Sequence, residues 1–305
     1  MSTPSRRPRA KTSVRASRAP KRSLRAVPHK HVWDDKLSEK QYDALRVLIE
    51  GRLGFRMPPT KRVLLHGRMV RRARTLHMPS LSAYCERVLE DPEHGGELGH
   101  FLDIVTTNVT SFFREPAQLE RLQNELTRWA NAGSRELRVW SAACSRGHEV
   151  WTLAMMLAEL PGAPSFSLLG SDVSSRVLSE AVSAVYPEAE LSPVPATWRK
   201  RYFMHSRDRT ARLARVVPEL RQTAQFAKQN LMDDSFNVPR DFDIVLLRNV
   251  LIYFDAPTQA AVVAKVSSHL KVGGLLCVGL AESLHGRSPG LEHIELGIYR
   301  RGAMR

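Results

Sequence analysis

The sequence predicts a small all-α domain followed by a doubly wound α/β sheet that carries a small inserted antiparallel β unit. Three observations support this. Apolar residues recur at three- and four-residue spacing from Leu37 to about Leu89. From Arg138 onward, short apolar runs alternate with helical stretches. One interval, Arg201 to Leu231, is too long and too basic for a simple connection. The implied boundaries are a tail over 1–35, a helical domain over 36–95 and a sheet-bearing domain over 96–305, with the β unit at about 200–227.

The first helix is set by Tyr42, Leu45, Leu48, Ile49 and Leu53. It enters through Ser38 with Gln41 three residues later, a capping-box pattern, and Gly54 stops it. After Pro58-Pro59 a second helix places Val63, Leu64, Met69 and Val70 on its apolar side, with Arg68, Arg71, Arg72 and Arg74 crowding the other. A third begins at Ser80 and runs through Leu81, Tyr84, Val88 and Leu89. The glycines in "EDPEHGGELGHF" mark the joint, with a further helix leading on.

Four runs, "LRVWSAAC", "SFSLLGSDV", "FDIVLLRN" and "LLCVGLA", are short and apolar, as strands buried on both faces must be. "EVWTLAMMLAEL", "SSRVLSEAVSAVY" and "DAPTQAAVVAKVSSHL" lie between them with helical spacing. The inserted unit reads as short extended segments around the polar turn Ser206 to Thr210.

Composition bounds the function. A hydrophobic fraction of 43% with 25% charged residues excludes disorder throughout. The net charge of +15 points first to nucleic acid, but ten Lys and Arg fall within residues 1–31, so the rest carries only about +5. That tail, rich in Arg, Ser, Ala and Pro, cannot bury enough apolar surface to order itself, and its prolines argue against an amphipathic targeting helix. Cys85, Cys144 and Cys277 are odd in number and far apart, which reads as reduced thiols. No apolar run approaches the roughly 18 residues of a membrane span, and no secretory signal opens the chain. The expectation is a cytoplasmic protein without membrane insertion.

The stretch "RVWSAACSRGHEVWTLA" joins a strand to a helix through a turn of small residues, Ala142, Ala143, Ser145 and Gly147, where backbone can approach a ligand. Cys144 and His148 do not share a helical face, so their spacing gives no metal geometry and no metal site is expected. Asp172 ends the next strand 25 residues beyond Gly147, where an acid can accept from both ribose hydroxyls. The loop lacks the complete dinucleotide-binding glycine pattern, and no Walker lysine follows it.

With "TTNVTSFFREPAQLERL", "RYFM", "FAKQNLMD", "FDIVLLRNVLIYFDAPTQ" and "HLKVGGLLCVGLAESL" added, the chain resembles the chemotaxis receptor methyltransferases, the CheR family, over about residues 37–300. The resemblance implies a class I methyltransferase (Rossmann-like) sheet with an inserted β subdomain and an all-α N-terminal domain. It also implies S-adenosylmethionine as cofactor, S-adenosylhomocysteine as product and receptor glutamates as substrate. Carried over by motif, the cofactor contacts are Asn108, Thr110, Arg114, Glu149, Asp172, Asn230, Leu231, Arg248 and Asn249. Arg114 would hold the methionine carboxylate, Asp172 the ribose, Glu149 the cationic side, and Asn230 with Leu231 the adenine.

A glutamate side chain, with a pKa near 4.3, is already ionised and attacks the sulfonium methyl without a general base. Catalysis then rests on positioning, with Tyr253 orienting the reactants and Arg114 or Arg248 guiding the anionic side chain. The basic face of the second helix, Arg68, Arg71 and Arg72, would dock the cytoplasmic signalling domain of a chemoreceptor. In some relatives the β unit grips a receptor's C-terminal peptide, and the same is open here. The protein is expected to act as a monomer with no specific nucleic-acid partner. His148 stands where the family carries an acid, and Leu280-Ala281 where it carries His-Ser. A second reading is therefore a relative that binds the cofactor and acts as an interaction module. A third, a nucleic-acid methyltransferase, lacks its usual motif at "LRNVLIYF".

Overall fold

The computed structural model describes residues 36–91, 96–133, 136–162, 164–208, 210–284 and 290–303. The predicted tail, part of the predicted joint (92–95) and residue 209 of the predicted turn lie outside the described residues.

Four helices come first: α1 (Glu39–Leu53), α2 (Arg62–Thr75), α3 (Leu81–Glu90) and α4 (Glu97–Val105). The capping box at Ser38 and Gln41 is present, and Gly54 closes α1 in the left-handed region at φ 69°. Tyr42, Leu45, Ile49, Leu65, Met69, Tyr84, Phe101 and Val105 form one buried cluster, so α4 packs with the helices before it rather than with the sheet. In α2 the buried residues are Leu65, Met69 and Ala73, while Val63 and Leu64 face solvent. Of the predicted apolar side, Met69 and Val70 pack into the cluster, whereas Val63 and Leu64 do not. A buried alanine gave no apolar signal, and two exposed aliphatics gave a false one.

The sheet-bearing part follows as α5 (Pro116–Asn131), β1 (Glu136–Ser141), α6 (His148–Ala158), β2 (Ser165–Asp172), α7 (Ser175–Ser183), β3 (Val185–Pro187), α8 (Ala196–Tyr202), β4 (Phe203–His205), β5 (Leu213–Val216), α9 (Pro218–Arg221), β6 (Ala224–Lys228), β7 (Phe242–Leu247), α10 (Ala256–Ser267), β8 (Leu270–Val278), β9 (Leu291–Glu295) and β10 (Ile298–Arg301). The large sheet has the order β6-β2-β1-β7-β8-β10-β9. Its first five strands pair in parallel, and β10 runs antiparallel to β8 and β9. Alternate residues of one strand feed opposite cores. Ile244 and Leu246 of β7 join one buried cluster, and Val245 and Leu247 join the other. This is why the strand reads as an unbroken apolar run.

A second sheet, β3-β5-β4, is antiparallel and shares a buried cluster with the first. The predicted span of 200–227 takes in β4 and β5 but misses β3. It also includes β6, which pairs in parallel with β2 in the large sheet. The chain leaves the large sheet after α7 and returns at β6, and β3 is too short to signal that exit. Sequence order runs outward from β1 to β2 and then jumps to β7 on the other side. The crevice where a doubly wound sheet binds its ligand therefore lies between the carboxyl ends of β1 and β7.

Candidate functional site

At that crevice a cavity of about 970 Å³, counted out to its open mouth, is lined from both parts of the chain. Asn108, Thr110, Arg114, Glu149, Asp172, Asn230, Leu231, Arg248, Asn249 and Tyr253 all border it. The turn after β1 is shaped by two left-handed residues, Ser145 at φ 48° and Gly147 at φ 84°. A Cβ on Gly147 would stand 2.8 Å from the Ala181 Cβ, so the tight turn against α7 requires glycine.

Asp172 ends β2 with each oxygen engaged. Ser145 N donates to Oδ2 at 2.9 Å and Ser174 N to Oδ1 at 3.0 Å. Burial lifts the carboxyl above its ordinary value despite these amides.

Arg248, at the end of β7, is buried between two carboxylates. Nη1 reaches Glu149 Oε2 at 3.0 Å, while Nη2 reaches Glu115 Oε2 at 3.0 Å and the Arg114 carbonyl at 2.6 Å. Glu149 also accepts from the Ser141 hydroxyl at 2.7 Å, and Asn249 Nδ2 donates to Glu115 Oε1 at 3.0 Å. Burial pushes the Glu115 carboxyl up, but the bonds from Asn249 and Arg248 outweigh it and leave it below the usual carboxylate value.

Glu282 holds the next turn. Its carboxylate accepts from Gly279 N (2.7 Å), Asn249 N (2.8 Å) and Ile252 N (3.2 Å). It thereby fixes a segment in which Asn249 sits at φ 58° and Tyr253 follows. The Tyr253 ring packs at a tilt against Phe55, with centres 5.2 Å apart and Lys61 Nζ 5.5 Å from its own centre, and its carbonyl accepts from Arg56 N at 2.9 Å. Tyr253 thus lies where the helical part closes onto the cavity, at the edge of a second groove that includes Arg68.

Several predicted site residues spend their polar groups inside the fold. Asn230 Nδ2 donates to the Arg52 carbonyl at 2.7 Å and ties the sheet to the end of α1. Arg114 Nη1 donates to the Val109 carbonyl at 3.0 Å, and Asn108 Nδ2 to Thr106 Oγ1 at 3.0 Å. Of the three docking arginines, Arg72 makes a bidentate pair with buried Glu97, both contacts at 2.8 Å. Arg68 donates to the carbonyls of Val105 and Thr106, and Arg71 is exposed. His148 is fully buried on the far side of its turn and is not among the residues bordering the cavity.

Glu115, Glu282 and Phe55 are functional neighbours that the sequence reading did not single out. Glu115 had one signal, an acid wedged between Arg114 and Pro116 where a helix begins.

An α/β sheet with a strand-end acid, a loop of small residues and a mixed polar cavity at its switch point defines a nucleoside-cofactor-binding enzyme domain. Residues 108–299 match the family model described as CheR methyltransferase, SAM binding domain, and residues 40–106 match CheR methyltransferase, all-alpha domain. The chain is 36% identical over 268 residues to a chemotaxis protein methyltransferase of Escherichia coli, covering 87% of this chain and 90% of that protein. It is 34% identical over 232 residues to chemotaxis protein methyltransferase 2 of Pseudomonas aeruginosa, 75% of this chain and 81% of that one. A chemotaxis protein methyltransferase of Salmonella typhimurium is 35% identical over 249 residues, 81% and 85%. The chain belongs to the CheR methyltransferase family, and its cofactor is S-adenosylmethionine.

The residues present fit that group. The carboxylate of Asp172 suits a ribose diol, and half-buried Arg114 suits an amino-acid carboxylate. Arg248 Nε is buried at the cavity with no partner among the described residues, a donor left for a ligand atom or water.

Proposed function

We propose that the protein methylates glutamate side chains in the signalling domain of a chemoreceptor, forming glutamyl methyl esters. The observation that supports this best is that Tyr253 borders both the cofactor cavity and a neighbouring groove, under the helical part, that is lined by Lys61 and Arg68. A groove carrying two cations beside the cavity suits an acidic acceptor, and the relatives are chemotaxis methyltransferases.

When bound, S-adenosylmethionine supplies an electrophilic methyl on a sulfonium. The chain's part is to position and to exclude water. Asp172 would take the ribose hydroxyls, Arg114 the methionine carboxylate, and Asn230 and Leu231 the adenine. Glu149, fixed by Arg248 and Ser141, would face the cationic end with its charge already oriented. The incoming glutamate is ionised at neutral pH, so no residue has to remove a proton. Tyr253 would orient it from the mouth, and Lys61 and Arg68 would draw it in. Holding two reactants at attack distance can contribute roughly 7–11 kcal/mol toward the barrier. The outer edges of β3 and β4 offer a place for a receptor peptide to add a strand.

Tritiated methyl transfer from S-adenosylmethionine to purified receptor signalling domains tests the reading. Label released as methanol in alkali marks an ester. Label stable in alkali, or transferred to nucleic acid alone, rejects it.

A further inference from the structure

The inserted sheet touches the cofactor turn through groups that the proposed chemistry does not use. Glu190, in the single turn Glu188–Leu191 after β3, meets His148 Nε2 at 2.7 Å and Arg146 Nη1 at 3.2 Å. Tyr186 of β3 donates its hydroxyl to the Arg146 carbonyl at 2.7 Å. Arg146 Nε reaches Glu180 on α7 at 2.7 Å. His148 lies between Phe112 and Tyr186, with both ring centres 4.6 Å away, and its Nδ1 is buried without a partner among the described residues. A proton on Nδ1 would be a buried donor with no acceptor, so the neutral ring carries its proton on Nε2, aimed at Glu190.

Phe112 extends the contact. It packs edge-on against Tyr186 at 5.1 Å and against Phe203 of β4 at 5.6 Å. Phe112 lies between Thr110 and Arg114 in sequence, so both cavity-lining segments, 108–114 and 142–149, rest on the inserted sheet. Ser145 carries the link inward, because its backbone N–H reaches Asp172 and its hydroxyl reaches the Asn108 carbonyl at 3.2 Å.

We propose that Glu190 and Tyr186 are positioning residues for the cofactor. They hold the Ser145–His148 turn in the shape that presents Asp172, so that cofactor affinity and the order of the inserted sheet depend on one another. Coupling of this kind is reciprocal: whatever clamps the inserted sheet tightens cofactor binding, and bound cofactor steadies the sheet. It goes beyond the acceptor assignment and holds whatever carboxylate receives the methyl.

Calorimetric titration of the full chain with S-adenosylhomocysteine reads the coupling. Glu190→Ala should raise the dissociation constant about tenfold, since its contacts to His148 and Arg146 are both lost. Glu190→Gln, which still accepts from His148 Nε2, should stay within about threefold of the parent protein. In hydrogen exchange, S-adenosylhomocysteine should slow the amides of β3 and β5 in the parent protein and lose that effect in Glu190→Ala. Should the alanine variant fail to fold, Tyr186→Phe decides: an affinity weakened about threefold supports the proposal. Unchanged affinity in Glu190→Ala or Tyr186→Phe, even with a lower melting temperature, overturns it. A glutamine variant as weak as the alanine one overturns it as well.

Discussion

Two ionic clusters flank the cofactor cavity, and they differ in how far water reaches them. Around Arg248 the side chains are 3%, 16% and 14% exposed for Arg248, Glu115 and Glu149. Around Arg146 they are 26%, 38% and 31% exposed for Arg146, Glu180 and Glu190, and only His148 is sealed. A buried charge that loses its partner is costly, whereas a solvated pair contributes at most about 1 kcal/mol. The first cluster is a fixed floor. The second is partly solvated, and it is the one tied to the inserted sheet.

The sharpest way to break this comparison is Arg248→Met, which strands Glu115 and Glu149 in the interior. It should lower unfolding free energy by about 3–5 kcal/mol in chemical denaturation. Arg146→Met should lower it by less than about 1 kcal/mol in the same assay. Equal losses would erase the distinction between the two clusters. Asp172→Asn replaces one acceptor oxygen with a donor facing an amide N–H. S-adenosylhomocysteine should then bind roughly 10- to 150-fold more weakly, about 1.5–3 kcal/mol. Glu282→Ala leaves the amides of Gly279, Asn249, Leu251 and Ile252 without their acceptor and loosens the turn carrying Tyr253. Methyl transfer should fall about tenfold while affinity for S-adenosylhomocysteine changes less than threefold.

The smallest effect concerns acid. Burial lowers the His148 pKa against the pull of Glu190 and Glu180, with Arg146 adding to the lowering. The folded state therefore takes up its proton at lower pH than the unfolded chain, whose histidine titrates near 6.5. Stability should fall as pH drops below about 6.5, because only the unfolded state gains the proton there. His148→Phe should flatten that part of a melting-temperature profile, and a profile as steep as the parent's would contradict the assignment.

The legible parts of the fold were those with a one-dimensional signature. β1, β2, β7 and β8 are buried on both faces and read as apolar runs, and Gly147 with Asp172 stood at nucleoside-site spacing. β6 and β9 are half-exposed edge strands of five residues each, with no apolar run to mark them. Arg248 was found by its motif, but its role depends on Glu115 and Glu149, which lie 133 and 99 residues away. Glu282 acts on backbone amides, which no side-chain pattern encodes. His148 attracted attention through its neighbour in sequence, Cys144, when its physical partner is Glu190.

Asp172 is also held against rotation. Ser145 N–H and Ser174 N–H each take one of its oxygens, and the Val173 amide adds a third backbone bond. The carboxylate cannot turn away from the crevice without giving up bonds to the turn after β1 and to the residues that follow β2. On the proposed reading, a cofactor analogue lacking a ribose hydroxyl would leave a fixed acceptor unmet, so a deoxynucleoside would be disfavoured without any steric barrier.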